Sequence, residues 1–158
     1  MSIINEQLRS YFFCSGSAEA PTPLNAFDAA LLNAGVGNTN LMKISSILPP
    51  GCNEITLPEV LPPGILLPTA WVSYNSNNSN EQISAAVAAA IPHDPSRAGV
   101  IMEHAGVGSA TDVEQHACDQ LNSAMRIRKI SNYEVKSISI SHQVTLCGTV
   151  FAAIVLQR

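Results

Sequence analysis

An α+β fold, with strands outnumbering helices, is predicted by two features of this 158-residue sequence. Several segments alternate apolar and polar residues with period two, most cleanly KSISISHQV at 136–144. Two others carry apolar residues at helical spacing behind a Thr or Ser cap. Each kind of segment has one apolar face, and stacking two sheets with helices outside buries all of those faces. The length suits one ordinary domain, residues 1–158, with a real core. No internal repeat or interdomain linker interrupts it.

Thr22 as N-cap and Pro23 at the first helical position open a helix that ends before Gly35. Leu24, Phe27, Leu31 and Ala34 line one face of it. Residues 40–48 read as a strand stopped by Pro49 and Pro50, and the proline-rich stretch 51–63 reads as a long loop. Residues 65–74 (ILLPTAWVSY) are β-branched and aromatic enough for a strand, with Pro68 marking an edge or a bulge. Residues 83–91 are ambiguous: their alanines favour helix, whereas Ile83, Ala85, Val87, Ala89 and Ile91 alternate at period two. Residues 99–104 form a further strand, reached through the turn-like His93-Asp94-Pro95-Ser96. Ser109 with Asp112 resembles a capping box, aspartate standing in for the usual Glu or Gln. The helix behind it shows Val113, Ala117, Leu121 and Ala124 on one face and runs to about residue 128. Residues 133–146 and 149–156 supply the last strands.

Only 13% of the residues are charged, against about 25% in a typical globular protein. Exposed surface normally carries those charges, so the shortage points to an obligate oligomer whose surface faces other protein. The alternative is a monomer with an amide- and hydroxyl-rich surface, of which NSNNSN at 75–80 is an instance. A net charge of −4 with no basic stripe argues against nucleic acid as a partner. The one basic cluster, Arg126-Ile127-Arg128-Lys129, falls at a helix end, where cations complement the dipole. The opening MSIINEQLRSYFF lacks the pattern of a secretory signal, and no apolar run reaches membrane-spanning length. Cys14, Cys52, Cys118 and Cys147 are far apart, and neither they nor the four histidines make a metal motif. Reduced thiols in a cytoplasmic protein are expected.

The densest chemistry lies in residues 35–51, GVGNTNLMKISSILPPG, centred on Ser45-Ser46. A serine hydroxyl can attack the carbonyl of the residue before it and turn that peptide bond into an ester. β-Elimination then releases a piece ending in Ser45, and the dehydroalanine left at position 46 hydrolyses to a pyruvoyl ketone. A bare Ser-Ser is ordinary; here it follows Asn40 and the apolar Leu41, Met42 and Ile44, and precedes Ile47-Leu48-Pro49-Pro50.

Four further features stand out. Asp28 has Leu24, Leu31 and Leu32 as helical neighbours, so its carboxylate is either a helix-surface group or one that needs a partner beside an apolar flank. Glu103, at the end of an apolar strand before Ala105-Gly106, is either a solvated strand-end residue or a proton donor, with His104 as a second conceivable acid. Asn40 could donate its amide to the oxyanion formed when Ser46 attacks, or could simply start the strand. Gly35 and Gly37 flank Val36 in a tight turn with Gly35 as a helix C-cap; the turn follows a helix and precedes a strand, so it is not a phosphate loop.

TPLNAFDAALLNAGVGN (22–38), KISSILPP (43–50), ISAAVAAAIP (83–92), GVIMEHAG (99–106) and CGTVFAA (147–153) together resemble the pyruvoyl-dependent arginine decarboxylases over nearly the whole chain. The resemblance implies a four-layer αββα sandwich and tips residues 83–91 towards strand. It also implies cleavage between Ser45 and Ser46 into chains 1–45 and 46–158, a pyruvoyl group from Ser46 with neither metal nor pyridoxal phosphate, and L-arginine converted to agmatine and CO2. Asp28 would meet the guanidinium, with Leu31, Gly37, Thr39 and Ser45 as further substrate contacts. Two charge-assisted bonds from a carboxylate would account for selecting arginine. Glu103 would reprotonate the α-carbon after CO2 departs, and Asn40 would assist. Homotrimers, or dimers of trimers, would build each site from two adjacent subunits. The same chemistry on another amino acid is one alternative, although Asp28 argues against an acidic one. An unprocessed, non-enzymatic oligomeric binding protein of the same fold is the other.

Overall fold

The computed structural model describes residues 7–158, so the first six residues of the N-terminal reading and of the expected chain 1–45 lie outside it. In chain order come β1 (Ser10–Glu19), α1 (Pro23–Asn33), β2 (Asn40–Lys43), β3 (Ile47–Leu48), β4 (Asn53–Glu54), β5 (Leu66–Ser76), β6 (Gln82–Pro92), β7 (Gly99–Val107), α2 (Ala110–Ile127), β8 (Tyr133–Gln143) and β9 (Gly148–Gln157). The strands form two sheets, in the orders β2-β5-β9-β1-β4 and β3-β7-β6-β8. The fold is α+β, as its periodicities predict. No helix among the described residues is long and apolar enough to cross a membrane.

The ambiguous alanine segment is the strand β6, and its composition follows from its place. Ile83, Ala85, Val87 and Ala89 face the other sheet, while Ala86, Ala88 and Ala90 lie beneath α2. A strand covered on both faces needs apolar residues at every position, and alanine keeps both contacts close. The same holds for β9: Val150, Ala152, Ile154 and Leu156 join the core between the sheets, and Phe151, Ala153 and Val155 join the one beneath α1. Burying side chains of this size contributes roughly 1.5–3 kcal/mol for each large aliphatic residue.

Both helices start as their caps predict. Thr22 Oγ1 accepts from Asn25 N–H, and Ser109 Oγ accepts from Asp112 N–H. Along α2 the buried stripe is Val113, Ala117, Leu121 and Ala124, as expected, with Met125 added. The face of α1 is a correction. Leu24 is 77% exposed, and Ala26 and Ala30 are the fully buried residues, with Ala34, Phe27 and Leu31 alongside. The cause lies in β1, where a Cβ on Gly16 would come within 2.2 Å of the Ala30 carbonyl oxygen. The helix therefore sits directly on the sheet, and only alanine fits along that contact line.

The strand expected over 40–48 is two strands in different sheets, a second correction. β2 pairs in parallel with β5 as far as Lys43↔Thr69, whereas β3 pairs antiparallel with β7. Residues 44–46 cross from one sheet to the other. Pro68 is tolerated because β5 pairs with β9 only from Thr69 onward.

Candidate active site

The crossing between the sheets puts Ser46 in an unusual conformation. Its φ is +66°, the left-handed region that non-glycine residues seldom adopt and that costs roughly 1–2 kcal/mol. Two contacts hold it there. Its carbonyl accepts from Ile101 N–H at 2.9 Å, and its Oγ donates to Glu103 Oε1 at 2.9 Å. Ser45, immediately before it, is exposed.

Strand alternation delivers Glu103 to that point. On β7, Ile101 and Ala105 face the space between the sheets, and Met102 packs beneath α2. Glu103 shares the inter-sheet face with Ser46 and is half-buried. It lies inside a strand that continues to Val107, not at a strand end as the sequence reading had it. His104 takes the opposite face and stacks on His116 of α2, with ring centroids 3.9 Å apart. Burial, with the His116 charge beside it, pulls the pKa of His104 below the usual histidine value. The second conceivable acid is thus on the wrong side of the strand. A carboxylate at hydrogen-bond distance from a hydroxyl can take its proton, and can return a proton to a carbon held in the same place.

The other sequence-selected residues sit on α1 and the turn after it. Gly35, with φ +84°, ends the helix: its N–H bonds the Leu32 carbonyl and Val36 N–H bonds the Leu31 carbonyl, a Schellman arrangement. Thr39 Oγ1 donates to the Val36 carbonyl at 2.7 Å. Gly37 is packed so closely that a Cβ would come within 2.6 Å of Leu32 N. Leu31 belongs to the cluster beneath α1. Asp28 is exposed, lies between the exposed Leu24 and Leu32, and its carboxylate has no hydrogen-bond or ion-pair partner among the described residues. Asn40 does not join Ser46: its Nδ2 donates to the Gly64 carbonyl at 2.9 Å. Within one chain, then, the fold brings Ser46 and Glu103 into contact, and leaves Asp28 and Asn40 outside that contact.

The sequence reading passed over Lys43 and Trp71. The Lys43 ammonium lies 4.4 Å from the centre of the Trp71 ring and donates to the Trp71 carbonyl. Trp71 in turn contacts Phe27 of α1 and Phe151 of β9, at 5.5 and 5.9 Å between ring centroids. A lone tryptophan in a chain with only 5% aromatic residues was the available signal.

The model of the family described as pyruvoyl-dependent arginine decarboxylase matches residues 10–158. A protein named pyruvoyl-dependent arginine decarboxylase from Methanocaldococcus jannaschii is 44% identical over 142 residues, covering 90% of this chain and 86% of its own. Proteins of the same name from Methanococcus aeolicus and Methanothermobacter thermautotrophicus are each 39% identical, over 90% and 89% of this chain and 86% and 91% of theirs. With the family match spanning both sheets, both helices and the positions of Ser46 and Glu103, this chain belongs to the pyruvoyl-dependent arginine decarboxylase family.

Proposed function

We propose that this chain is a self-cleaving proenzyme whose processed form decarboxylates L-arginine to agmatine and CO2. The observation that carries the reading is the bond from Ser46 Oγ to Glu103 at the sheet crossing. Glu103 takes the hydroxyl proton as Oγ attacks the Ser45 carbonyl carbon. The Ser45–Ser46 C–N bond breaks, an ester forms, and the nitrogen of residue 46 leaves protonated. Loss of the α-proton of residue 46 then expels Ser45 as a carboxylate and leaves dehydroalanine. Water adds, ammonia departs, and the ketone remains. Strain at Ser46 favours this sequence because it is released when the peptide bond breaks.

Cleavage there leaves chains 1–45 and 46–158 held together by pairing. β1 pairs with β9 from Ser10↔Gln157 to Glu19↔Gly148, and β2 lies on β5. The surroundings fit a pyruvoyl group at position 46: an amide N–H meets its carbonyl side and a carboxyl group meets its side-chain position. Once formed, that ketone serves as the sink for the electron pair that CO2 leaves behind. Glu103 holds the proton destined for the α-carbon. Asp28 pairs with the guanidinium through two parallel bonds, and Leu31, Gly37, Thr39 and Ser45 border that subsite. Asn40 assists by fixing the start of β2 against Gly64.

Three apolar clusters, one between the sheets and one under each helix, support a four-layer αββα sandwich. Exposed Leu24 and Leu32 beside Asp28, with exposed Met42 and Ile47 on either side of the scissile pair, support a homotrimer or a dimer of trimers that builds each site between neighbours. Four free cysteines accord with a cytoplasmic protein. The test is the mass of the denatured protein. Two fragments are expected, with Edman degradation blocked on the larger, and Ser46→Ala stays whole. A single species after prolonged warm incubation contradicts the reading, and agmatine release from an amino-acid panel identifies the substrate.

A further inference from the structure

The ladder between β2 and β5 has a regular step. Asn40 N–H bonds the Ile65 carbonyl at 2.8 Å and Ile44 N–H bonds the Thr69 carbonyl at 3.2 Å, so each donor meets the carbonyl twenty-five residues later. Rungs on one edge of a strand recur every second residue. After Ile44 the next rung is Ser46 N–H on the Trp71 carbonyl. That rung is not made among the described residues. Ser46 has turned to φ +66°, with its carbonyl on Ile101 N–H and its hydroxyl on Glu103. The Trp71 carbonyl is taken instead by the Lys43 ammonium, which also lies over the Trp71 ring.

We propose that Lys43 is a positioning residue for self-cleavage: its ammonium fills the rung that Ser46 would otherwise close, and so keeps the Ser45–Ser46 peptide out of the sheet and on Glu103. This rests on the proenzyme reading above. Were Ser46 to take the rung, it would adopt extended backbone with negative φ. Its hydroxyl would then leave Glu103, and its amide would be tied into a ladder that resists rearrangement. A cationic donor competes well for the Trp71 carbonyl, because charge-assisted bonds are stronger than neutral amide ones. The ring face holds the ammonium in place by cation–π attraction.

Cleavage rates, read by intact mass, separate this from a merely structural role. Lys43→Met keeps the stem and removes the donor, and is expected to slow cleavage at least tenfold with the melting temperature little changed. Lys43→Arg restores most of the rate. Lys43→Gln, a shorter neutral donor that serves if the methionine variant does not fold, falls between them. In the uncleaved Ser46→Ala background, the amide at position 46 is expected to exchange with solvent at least tenfold more slowly with Lys43→Met than with Lys43 in place. Cleavage of all three variants within twofold of wild type overturns the proposal, as does exchange at position 46 that ignores residue 43. A wild-type chain that never cleaves sinks the proenzyme reading instead, and the exchange comparison still judges what Lys43 does.

Discussion

Two glutamates in this fold have opposite surroundings. Glu19, at the end of β1, accepts from the amides of Thr145, Leu146 and Cys147 at 2.9, 3.1 and 2.9 Å and bonds His142 Nε2 at 2.7 Å. Burial alone would raise its pKa, but the donors from Thr145, His142, Leu146 and Cys147 outweigh burial and hold the carboxyl down to about 2. Glu103 has one side-chain partner among the described residues, the Ser46 hydroxyl. A carboxylate whose lone pairs are all engaged is a fixed anion that ties down a loop. One with spare lone pairs beside a single hydroxyl leaves that hydroxyl as its one fixed contact. Asp28, whose carboxylate has no partner among the described residues, extends the contrast, and in the proposed function it is the group that meets the guanidinium.

Glu103→Gln gives the largest effect. Losses of a hundredfold to ten-thousandfold are typical for a general acid or base, about 3–5 kcal/mol, and the melting temperature should barely move. On sequence alone Glu103 serves only after CO2 departs, so cleavage would survive the substitution. The bond to Ser46 extends the expectation to cleavage, and a variant that processes at the wild-type rate would return Glu103 to the later step alone.

Asp28→Asn comes next, with cleavage intact and kcat/KM for arginine down on the order of a hundredfold, as for truncating one partner of a desolvated charge pair. The readout is the arginine-to-lysine ratio of specificity constants. If that ratio is unchanged in fully cleaved protein, the guanidinium is read elsewhere.

Glu19→Gln should do the reverse, sparing turnover and lowering stability by about 1–2 kcal/mol, a value discounted because the carboxyl is partly solvated. Its folded pKa lies below the ordinary value of 4.5, so the stabilisation is fully present above pH 4.5 and fades as pH falls towards 2. Melting curves of the two proteins should therefore differ at pH 7 and converge near pH 2. A gap that persists at pH 2 would assign the effect to shape and not to charge.

His104→Gln is the smallest. Turnover should stay within about twofold, under half a kcal/mol, because the ring faces α2 and not Ser46. A larger loss would show that the two faces of β7 are coupled.

Much of this was legible in advance where the cause is local. Caps at Thr22 and Ser109, the Gly35 terminus and the α2 stripe each depend on a few adjacent residues, and each is found as expected. Leu24 was misjudged because helical spacing leaves open which neighbouring stripe faces inward, and the close approach at Gly16 chose the alanines. The break in 40–48 was hidden because a strand that continues and one that changes sheets have the same period-two pattern.

By itself the sequence determined the class of the fold, its two helices and the Ser45-Ser46 motif with its family. Tertiary structure alone decided that this motif falls at a crossing between sheets, that the Glu103 carboxylate reaches the Ser46 hydroxyl while the His104 ring stacks on α2, and that Lys43 donates to the Trp71 carbonyl. Short-range patterns encode which face of an element is apolar. Which groups Lys43 and Ser46 meet depends on where strands twenty-eight and fifty-seven residues away come to lie.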